Sequence, residues 1–471
     1  MKKILFVGSE ANPFAATGGL GDVLGSLPAA LKEENSDYDV RVVMPLHSLV
    51  KPEWREKMED VCEFIVPLAW RKQYCGVKSL TFNGVIYYFI DNEYYFKRKT
   101  LYGDYDDAER YAYFSKAVIE MFDYIDFVPD VLHANDWQSA LTVVYLKTKY
   151  SYPNVKTVYT IHNIEYQGVY GFDILWDVFD IPYDQKWIVE YDNCINLTKG
   201  AIVCADKITT VSHRYSEEIQ TEYFGTSLYH AIESNKHKLT GIVNGIDYEL
   251  YNPVKDKTIP ANFSKNYMTG KATCKAEVQR KFGLLEREDV PVIAMISRLA
   301  THKGFDLVRH VLEEVLTMDV QFIILGTGEK DLEEFFAYVA NKYPEKAAAM
   351  LAYDKNVAKL LYAGADIFLM PSKSEPCGLS QMMASRYGTV PVVREVGGLY
   401  DTIKPYNPET GKGNGLTFVS YNAHEMLYEI QKAVKLYSDK DEWKRLVENA
   451  MSADFSWKNS ALQYIKMYNT L

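Results

Sequence analysis

The sequence predicts an α/β protein with two Rossmann-like domains that face a central cleft. Its 471 residues are too many for one hydrophobic core, so two domains are the expected number. Short apolar runs recur through both halves, with helical patterns between them, as in the βα units of a parallel sheet. We predict an N-terminal domain over 1–243, an interdomain connection over 244–271, a C-terminal domain over 272–455 and a C-terminal helix over 456–471. The sequence leaves open whether this helix packs back on the first domain.

The first half contains six short apolar runs that are typical of buried strands. A segment over 64–91 alternates apolar and polar residues, with Gly76 and Gly84 as expected turns, and predicts antiparallel hairpins added to the sheet. Residues 107–123 have one apolar face at helical spacing and predict a helix. The six predicted strands span 4–7, 40–44, 131–133, 157–161, 208–211 and 239–243.

The second half repeats this pattern after the irregular, polar segment 244–271. Four apolar runs with helical patterns between them predict a second parallel sheet. Ligands of open α/β sheets bind beyond the carboxyl ends of the strands, so the loops that follow these runs are candidate binding loops. The four predicted strands span 292–297, 321–325, 367–370 and 390–393, and the last predicted helix spans 456–468.

Charge and composition argue against several classes of partner. The net charge of −11 and the lack of a long basic run argue against nucleic acid and against an anionic membrane surface. The six cysteines form no C-x-x-C pair, so neither a zinc site nor a disulfide scaffold is indicated. No apolar run approaches the ~18–20 residues needed to cross a bilayer, and the run at 4–7 is too short for a signal peptide. A reducing cytoplasm is the expected location.

Residues 17–19, the glycine loop, follow the first strand and open a predicted helix. Gly18 and Gly19 let the backbone approach a ligand closely, and the free N–H groups of a helix start favour a phosphate. The segment lacks the G-x-G-x-x-G fingerprint, which counts against a nicotinamide-dependent oxidoreductase. No G-x-x-x-x-G-K-[ST] motif is present either. The loop is therefore a candidate phosphate site of another kind.

A second candidate loop, 371–379, joins a predicted strand to a predicted helix that Gly388 is placed to stop. Glu375, Cys377 and Gly378 thus lie between a strand's carboxyl end and a helix start, where ligands bind in open α/β sheets. A carboxylate beside a site that suits an anion is unusual in a loop that only turns the chain. We predict that the two loops and a third segment form one nucleotide-sugar site in the cleft.

Short motifs in a fixed order run along nearly the whole chain. They are TGGL at 17–20, DNEYYF at 91–96, LYG at 101–103, DW at 136–137, TIHN at 160–163, NGID at 244–247, SRL at 297–299, KG at 303–304, LGTG at 325–328, YAGAD at 362–366, loop 371–379 and GGL at 397–399. In this order they resemble the bacterial glycogen synthases and the plant starch synthases. The resemblance implies a two-domain glycosyltransferase fold of the B type (GT-B). It also implies transfer of glucose from ADP-glucose to the non-reducing end of an α-1,4-glucan, with retention at the anomeric carbon.

Four residues form the catalytic set that the resemblance implies. Breaking a sugar–phosphate bond leaves negative charge on a diphosphate, where fixed cations give large stabilisation. By resemblance, Arg298 and Lys303, which follow a predicted strand, are the clamp on that diphosphate. Glu375 is expected to contact the sugar, either as a stabiliser of its positive charge or as a nucleophile. His162, which follows the strand over 157–161, is expected beside the glucose.

The remaining expected contacts are with the nucleotide sugar. Asp22 and Asp136 are assigned to sugar or acceptor contacts, and Tyr353 is assigned to stacking on the base by resemblance only. No cofactor and no metal are expected, since the Asp-x-Asp pairs at 37–39 and 104–106 are typical of solvated turns and no H-E-x-x-H motif is present. The full predicted binding set is Thr17, Gly18, Gly19, Asp22, Asp136, Asn163, Asn244, Tyr353, Cys377, Gly378 and Leu379.

Two departures from the family pattern leave alternatives open. The segment 133–138 lacks two of the family's usual histidines, and Ala16 stands where the family usually has a lysine. A charged hydrogen bond to phosphate is worth ~1.5–3 kcal/mol, roughly ten- to a hundred-fold in affinity, so the choice between ADP-glucose and UDP-glucose is open. Ala16 and the 37 tyrosines also leave open a catalytically weak, glucan-binding relative. The oligomeric state and the open or closed state of the cleft do not follow from the sequence.

Overall fold

The computed structural model describes all 471 residues, and the chain divides into two compact units. The first unit comprises Met1–Gly245 together with Trp457–Leu471, and the second comprises Ile246–Ser456. The chain therefore leaves the first unit, forms the whole of the second unit, and returns to the first for its last fifteen residues.

The segment that was expected to connect the domains, 244–271, lies almost wholly within the second unit. Its Asp256 is 8% exposed, accepts a hydrogen bond from the hydroxyl of Tyr387 and pairs with Lys359 at 3.2 Å. Its irregular, polar sequence is typical of a linker, but these polar side chains find their partners inside one unit. The segment is therefore an integral part of the second unit.

The first unit is built from twelve strands and nine helices, before the chain enters the second unit. The strands are β1 (Lys2–Val7), β2 (Tyr38–Pro45), β3 (Glu59–Leu68), β4 (Arg71–Phe82), β5 (Val85–Asp91), β6 (Val131–Asn135), β7 (Lys156–Ile161), β8 (Val169–Tyr170), β9 (Glu190–Tyr191), β10 (Cys194–Asn196), β11 (Lys207–Thr210) and β12 (Leu239–Gly241). The helices are α1 (Gly19–Glu34), α2 (Pro52–Arg55), α3 (Glu93–Phe96), α4 (Asp107–Glu120), α5 (Trp137–Thr148), α6 (Leu197–Cys204), α7 (His213–Glu218), α8 (Glu222–Gly225) and α9 (Tyr229–Ser234).

Nine of these strands form one sheet in the order β12-β11-β7-β6-β1-β2-β5-β4-β3. All neighbours pair in parallel except β4, which is antiparallel to both β3 and β5. The central strands β1, β6 and β7 are apolar runs because both faces of a parallel sheet are covered. Their carboxyl ends lie at one edge of the sheet, which brings the glycine loop and the residues after β6 and β7 to the same edge. Strands β8, β9 and β10 form a small separate sheet that the sequence did not predict.

The antiparallel hairpins confirm one predicted turn and correct the other. Asn83 and Gly84 form the turn between β4 and β5 with φ values of 47° and 74°. Gly76, which was expected to turn the chain, lies inside β4 instead. The turn between β3 and β4 begins at Ala69, which has a φ of 50°. Alanine seldom adopts a positive φ, so its residue type carries no turn signal.

The second unit contains eight helices and one six-stranded parallel sheet in the order β15-β14-β13-β16-β17-β18. The four predicted strands form its centre, while the edge strands β15 and β18 are short and were not predicted. The strands are β13 (Val292–Ile296), β14 (Gln321–Leu325), β15 (Ala347–Met350), β16 (Ile367–Met370), β17 (Val390–Arg394) and β18 (Leu416–Phe418). The helices are α10 (Thr269–Lys281), α11 (Phe305–Thr317), α12 (Lys330–Lys342), α13 (Lys355–Gly364), α14 (Ser380–Arg386), α15 (Gly397–Thr402), α16 (Ala423–Ser438) and α17 (Lys440–Ser452).

The last helix, α18 (Trp457–Tyr468), belongs to the first unit. Its Trp457, Tyr464 and Tyr468 are buried in the same core as Leu24 and Leu27 of α1. The hydroxyl of Tyr468 also lies 2.6 Å from Nδ1 of His133 in β6, so the helix is tied to the sheet as well as to α1. No helix of the chain is both long enough and apolar enough to cross a membrane.

Candidate active site

The glycine loop lies between β1 and α1, and three N–H groups there bind a carboxylate of the chain itself. Glu10 is 2% exposed and accepts hydrogen bonds from the N–H groups of Thr17 (2.7 Å), Gly18 (3.2 Å) and Gly21 (3.1 Å). Burial raises the pKa of Glu10 above its ordinary value. The anion at this helix start is therefore Glu10, a residue that the sequence analysis did not single out. Gly19 opens α1 and is exposed, so its backbone is open to a ligand.

The first turn of α1 places two further residues of interest. Asp22 accepts a hydrogen bond from Nδ2 of Asn12 through Oδ1, at 2.7 Å. Ala16, which stands where the family usually has a lysine, packs closely against this turn. A Cβ added to Gly21 would lie only 2.3 Å from the Cβ of Ala16. Asp22 and the glycine loop are thus neighbours at one edge of the first unit's sheet, as the sequence predicts.

The last residue of β6 and the residue after it both contact His162, the first residue after β7. Oδ1 of Asp136 accepts a hydrogen bond from the backbone N–H of His162 at 2.8 Å. Oδ1 of Asn135 lies 3.0 Å from Nε2 of the His162 ring. Because parallel neighbours end at the same edge, Asp136 and His162 lie together, and Asn135 joins them.

Burial shifts the pKa values of the aspartate and of the two histidines at this edge in opposite directions. Burial raises the pKa of Asp136 to about 7, and the nearby Glu10 carboxylate adds to the rise. Burial lowers the pKa of His162 to about 3, and that of His133 likewise to about 3. The two imidazoles are therefore neutral at neutral pH, whereas Asp136 is partly protonated there.

The raised pKa of Asp136 predicts a pH-dependent contribution to stability. The pKa of Asp136 is about 7 in the folded chain, whereas that of an unperturbed aspartate is 3.8. Folding therefore takes up a proton between these values, so the contribution is complete at low pH and is lost as the pH rises toward 7. The free energy of unfolding of wild type minus that of Asp136→Asn should fall with rising pH, by at most about 1.4 kcal/mol per pH unit. Urea denaturation at several pH values from 4 to 8 measures this difference, and equal slopes for both proteins would contradict it.

Two asparagines of the predicted set differ in their surroundings. Asn163 uses Oδ1 to accept the N–H of Glu165 at 3.0 Å, which is a local turn contact. Asn244 is 5% exposed, and its Oδ1 has no hydrogen-bond partner in the chain. A buried acceptor without a partner is uncommon, and a ligand donor would satisfy it.

In the second unit, loop 371–379 surrounds the buried carboxylate of Glu375, which is 6% exposed. Nζ of Lys303 lies 2.7 Å from its Oε2, and the hydroxyl of Ser372 donates to the same oxygen at 2.9 Å. Oε1 accepts no hydrogen bond from the chain, so this oxygen is left for a ligand donor. The structure thus brings two predicted catalytic residues, 72 positions apart in the chain, into one ion pair.

The loop that follows β13 carries the two predicted cations. Arg298 is exposed just beyond the end of β13, and Lys303 lies in a single helical turn before α11. Gly304 ends that turn with a φ of 80°, and a Cβ there would lie 2.1 Å from the backbone oxygen of Pro371. Only glycine allows this approach, which holds Lys303 against loop 371–379.

A pair of glycines at the start of α15 supports the same loop from the other side. Gly397 has a φ of 45°, and a Cβ there would lie 2.0 Å from the backbone oxygen of Glu375. A Cβ on Gly398 would lie 2.1 Å from the backbone oxygen of Cys377, and the N–H of Gly398 donates to the Glu375 oxygen at 3.1 Å. Both belong to the GGL motif at 397–399, whose residues had no predicted role.

Three of the other predicted binding residues of this unit belong to loop 371–379, and the fourth, Tyr353, lies on a different loop. Cys377 is buried and forms no disulfide, Gly378 has a φ of 70°, and Leu379 precedes the first residue of α14. Tyr353 lies on the loop between β15 and α13 and is 80% exposed. Stacking of its ring on the base stays a prediction.

The Asp-x-Asp pair at 104–106 is more than a solvated turn. Asp104, Asp106 and Asp107 form a cluster whose carboxylates all lie within 4.8 Å of one another. Arg98 pairs with Asp106 at 2.7 Å, and Arg110, which is fully buried, pairs with both Asp104 and Asp107. The carboxylates therefore compensate buried arginine charge, a role that needs no ion.

A recess of ≈ 690 Å³ in the first unit lies away from all of these residues. It is at the amino end of β11, opposite the edge that carries the glycine loop. Among its cations, Lys147 pairs with Asp206 at 3.0 Å, and Lys238 donates to the backbone oxygen of Val203 at 3.1 Å. These lysines are already engaged by the chain, so the recess does not compete with the strand-end loops as the candidate site.

Comparison with known families covers both units. Residues 3–234 match the family model of the starch synthase catalytic domain, and residues 278–452 match that of glycosyl transferases group 1. The chain is 47% identical over 475 residues to a glycogen synthase from Ligilactobacillus salivarius, with 100% of both chains covered. It is also 47% identical to a glycogen synthase from Geobacillus stearothermophilus, covering 100% of this chain and 98% of the relative.

Solved structures support the same grouping. The catalytic domain of starch synthase IV from Arabidopsis thaliana, bound to ADP and acarbose, superposes with a TM-score of 0.92 at 30% identity. That comparison covers 100% of this chain and 99% of the other. A sucrose-phosphate synthase from Thermosynechococcus elongatus has a TM-score of 0.63 at 15% identity, which bears on the fold alone. The predicted GT-B class and the resemblance are thus both confirmed, and the chain belongs to the glycogen and starch synthase family of glycosyltransferases.

Proposed function

We propose that this enzyme transfers glucose from ADP-glucose to the non-reducing end of an α-1,4-glucan, with retention at the anomeric carbon. The observation that carries the proposal is the carboxylate of Glu375, which Lys303 and Ser372 hold through Oε2 while Oε1 has no hydrogen-bond partner in the chain. It occurs in a chain that is 47% identical to glycogen synthases over its full length. A buried carboxylate with one free oxygen suits a sugar ring that develops positive charge.

The cations of the second unit are proposed to stabilise the leaving diphosphate. Lys303 is held in place by Glu375, while the exposed guanidinium of Arg298 is free to make a bidentate contact with phosphate oxygens. Such fixed cations supply stabilisation where the negative charge develops. The ADP that is bound in the related starch synthase IV supports an adenine nucleotide as the leaving group.

The first unit is proposed to supply the contacts with the sugar and the glucan. His162 and Asp136 lie at the same sheet edge as Gly19 and Asp22, all within the predicted set. Neutral imidazole and carboxyl groups are suited to the hydroxyls of a sugar. The acarbose in the related starch synthase IV supports a glucan as the acceptor. We also place the reaction in the cytoplasm, since all six cysteines are free thiols.

One assay tests the function as a whole. The protein is incubated with radiolabelled ADP-glucose and glycogen, and the product is digested with β-amylase. Release of label as maltose is the expected result, because it reports an α-1,4 bond at a non-reducing end. Glu375→Gln serves as the inactive control. Binding of glycogen without incorporation of label would instead favour a glucan-binding relative that has lost catalysis.

Donor preference is the second measurable consequence. Ala16 cannot donate the charged hydrogen bond that a lysine at this position would give, so Ala16→Lys is expected to lower the KM for ADP-glucose roughly 10- to 100-fold. Ser36→Lys adds the same charge on an exposed turn of the same unit and is expected to change KM less than two-fold. Steady-state rates with ADP-glucose and with UDP-glucose give both values. An unchanged KM in Ala16→Lys, or a wild-type preference for UDP-glucose, would contradict this part of the proposal.

A further inference from the structure

We propose that Asn135 is a positioning residue that fixes His162 in its neutral Nε2–H tautomer, so that Nδ1 is presented as a hydrogen-bond acceptor to a sugar hydroxyl. The identity of the sugar rests on the proposed function, whereas the tautomer rests on the structure of the first unit alone. Asn135 lies at the end of β6 and is 1% exposed, so its side chain is fixed by the protein rather than by solvent.

The amide of Asn135 is anchored in one orientation. Its Nδ2 donates to the backbone oxygens of Val7 at 3.2 Å and His133 at 3.0 Å. Both partners are carbonyl groups, which only accept, so they identify the nitrogen end of the amide. Its backbone N–H donates to the hydroxyl of Ser139 at 2.6 Å, which holds the main chain as well. The remaining end of the amide, Oδ1, therefore points away from these groups in a known direction.

That oxygen determines which nitrogen of His162 carries the proton. Oδ1 of Asn135 lies 3.0 Å from Nε2 of His162, and an amide oxygen cannot donate. A hydrogen bond at this distance requires a proton on Nε2. A neutral imidazole carries only one proton, so Nδ1 is left with its lone pair.

The surroundings keep the ring neutral. Burial lowers the pKa of His162 to about 3, and the nearest titrating neighbours do not oppose this. His133 has a pKa of about 3 and is neutral as well. Asp136, with a pKa of about 7, uses its Oδ1 for the backbone N–H of His162 and not for the ring. The imidazolium form, with donors on both nitrogens, is therefore not populated near pH 7.

The acceptor side of the ring has no partner within the chain. Nδ1 of His162 makes no hydrogen bond there, and the residue is half-buried rather than fully enclosed. A lone pair attracts a hydroxyl and repels the oxygens of a diphosphate. The partner that fits is therefore a sugar hydroxyl, which donates its proton to Nδ1, and not the phosphate part of the donor. Asn135 thus acts on the sugar through His162 without touching it.

The tautomer is measured directly by nitrogen-15 NMR of protein with labelled histidine. Two- and three-bond correlations separate protonated from unprotonated ring nitrogens, and His162→Gln identifies the His162 signals among the nine histidines. At pH 7 we expect a protonated Nε2 and an unprotonated Nδ1, unchanged down to pH 5. A proton on Nδ1, or an imidazolium at pH 7, would overturn the proposal whether or not the protein transfers glucose.

Variants separate positioning from a general structural role. Asn135→Asp keeps the shape but places a negative charge beside Nε2, which is expected to raise the pKa of His162 toward neutrality and to lower kcat/KM about 10- to 100-fold. Ser139→Ala removes the backbone contact of Asn135 but leaves its amide in place, so the His162 spectrum is expected to stay as in wild type. A wild-type His162 spectrum in Asn135→Asp would refute the assignment of Asn135.

Ligand titrations test the partner of Nδ1. Adding ADP-glucose to the wild-type protein is expected to shift the Nδ1 signal, because its lone pair accepts a hydroxyl proton. Adding ADP alone is expected to leave that signal unshifted. A shift of equal size with ADP alone would overturn the sugar hydroxyl as the partner.

Discussion

Replacing Lys303 with methionine is expected to lower kcat for glucosyl transfer about 10²–10³-fold. Lys303 is the cation that binds Glu375 directly, at 2.7 Å, and it is proposed to stabilise the leaving diphosphate. The variant loses a fixed positive charge and also leaves the Glu375 carboxylate, with an 8% exposed side chain, without its cation. An unpaired buried carboxylate should also lower the free energy of unfolding of the second unit by about 3 kcal/mol.

A double-mutant cycle separates these two effects. Lys303→Met combined with Glu375→Gln removes both charges, so most of the lost stability should return while activity stays low. Lys330→Met is the matched control in the same unit, because the Lys330 side chain is 88% exposed and only pairs with Glu334 on the surface. Steady-state kinetics and chemical denaturation of the four proteins of the cycle and of the control give both quantities. Near-wild-type turnover in Lys303→Met would contradict the assigned role.

The second large effect is expected at Gly397, where alanine should lower kcat/KM by about 10²-fold or more. The added Cβ would lie 2.0 Å from the backbone oxygen of Glu375, at a φ of 45°. No flexible side chain is available to move aside, so loop 371–379 itself must shift. A displacement of about 1 Å is enough to misplace a catalytic carboxylate.

Gly283 provides the matched control for this prediction. It has a φ of 70° in the same unit, and a Cβ there would meet no atom within 4 Å. Gly283→Ala should therefore show only the backbone cost of a left-handed residue, about 1–2 kcal/mol of stability, with kcat/KM unchanged. If Gly397→Ala and Gly283→Ala lose activity to the same extent, the close approach to Glu375 is not what matters.

The central strands of both sheets were predictable because they are short apolar runs. Such runs are typical of strands that are covered on both faces of a sheet. The edge strands β15 and β18 were not predicted because they are short. Strand β15 consists of three alanines and a methionine, and only one of its positions is buried. The turn at Ala69 was not predicted for a different reason. The pairing of β3 with β4 imposes the conformation of Ala69, and the residue type does not indicate it.

The candidate site was predictable in its parts but not in its contacts. The ends of β6 and β7 are neighbours in a parallel sheet, which explains why His162 lies near Asp136. The KG motif follows the predicted strand at 292–297, so the position of Lys303 after β13 could be predicted. The carboxylate of Glu10 was missed because nothing in its local sequence indicates that it turns back onto Thr17 and Gly18. The one available signal was its place, since Glu10 lies between the small residues Ser9 and Ala11 soon after a buried strand.

The course of the chain has a consequence for its biosynthesis. The core around Leu24 and Leu27 is completed by Trp457 and Tyr464, which are synthesised only after the whole second unit. The earlier part of the first unit must therefore wait, with part of its apolar surface uncovered, while some two hundred intervening residues are translated. A chain terminated before Trp457 would leave this core permanently incomplete.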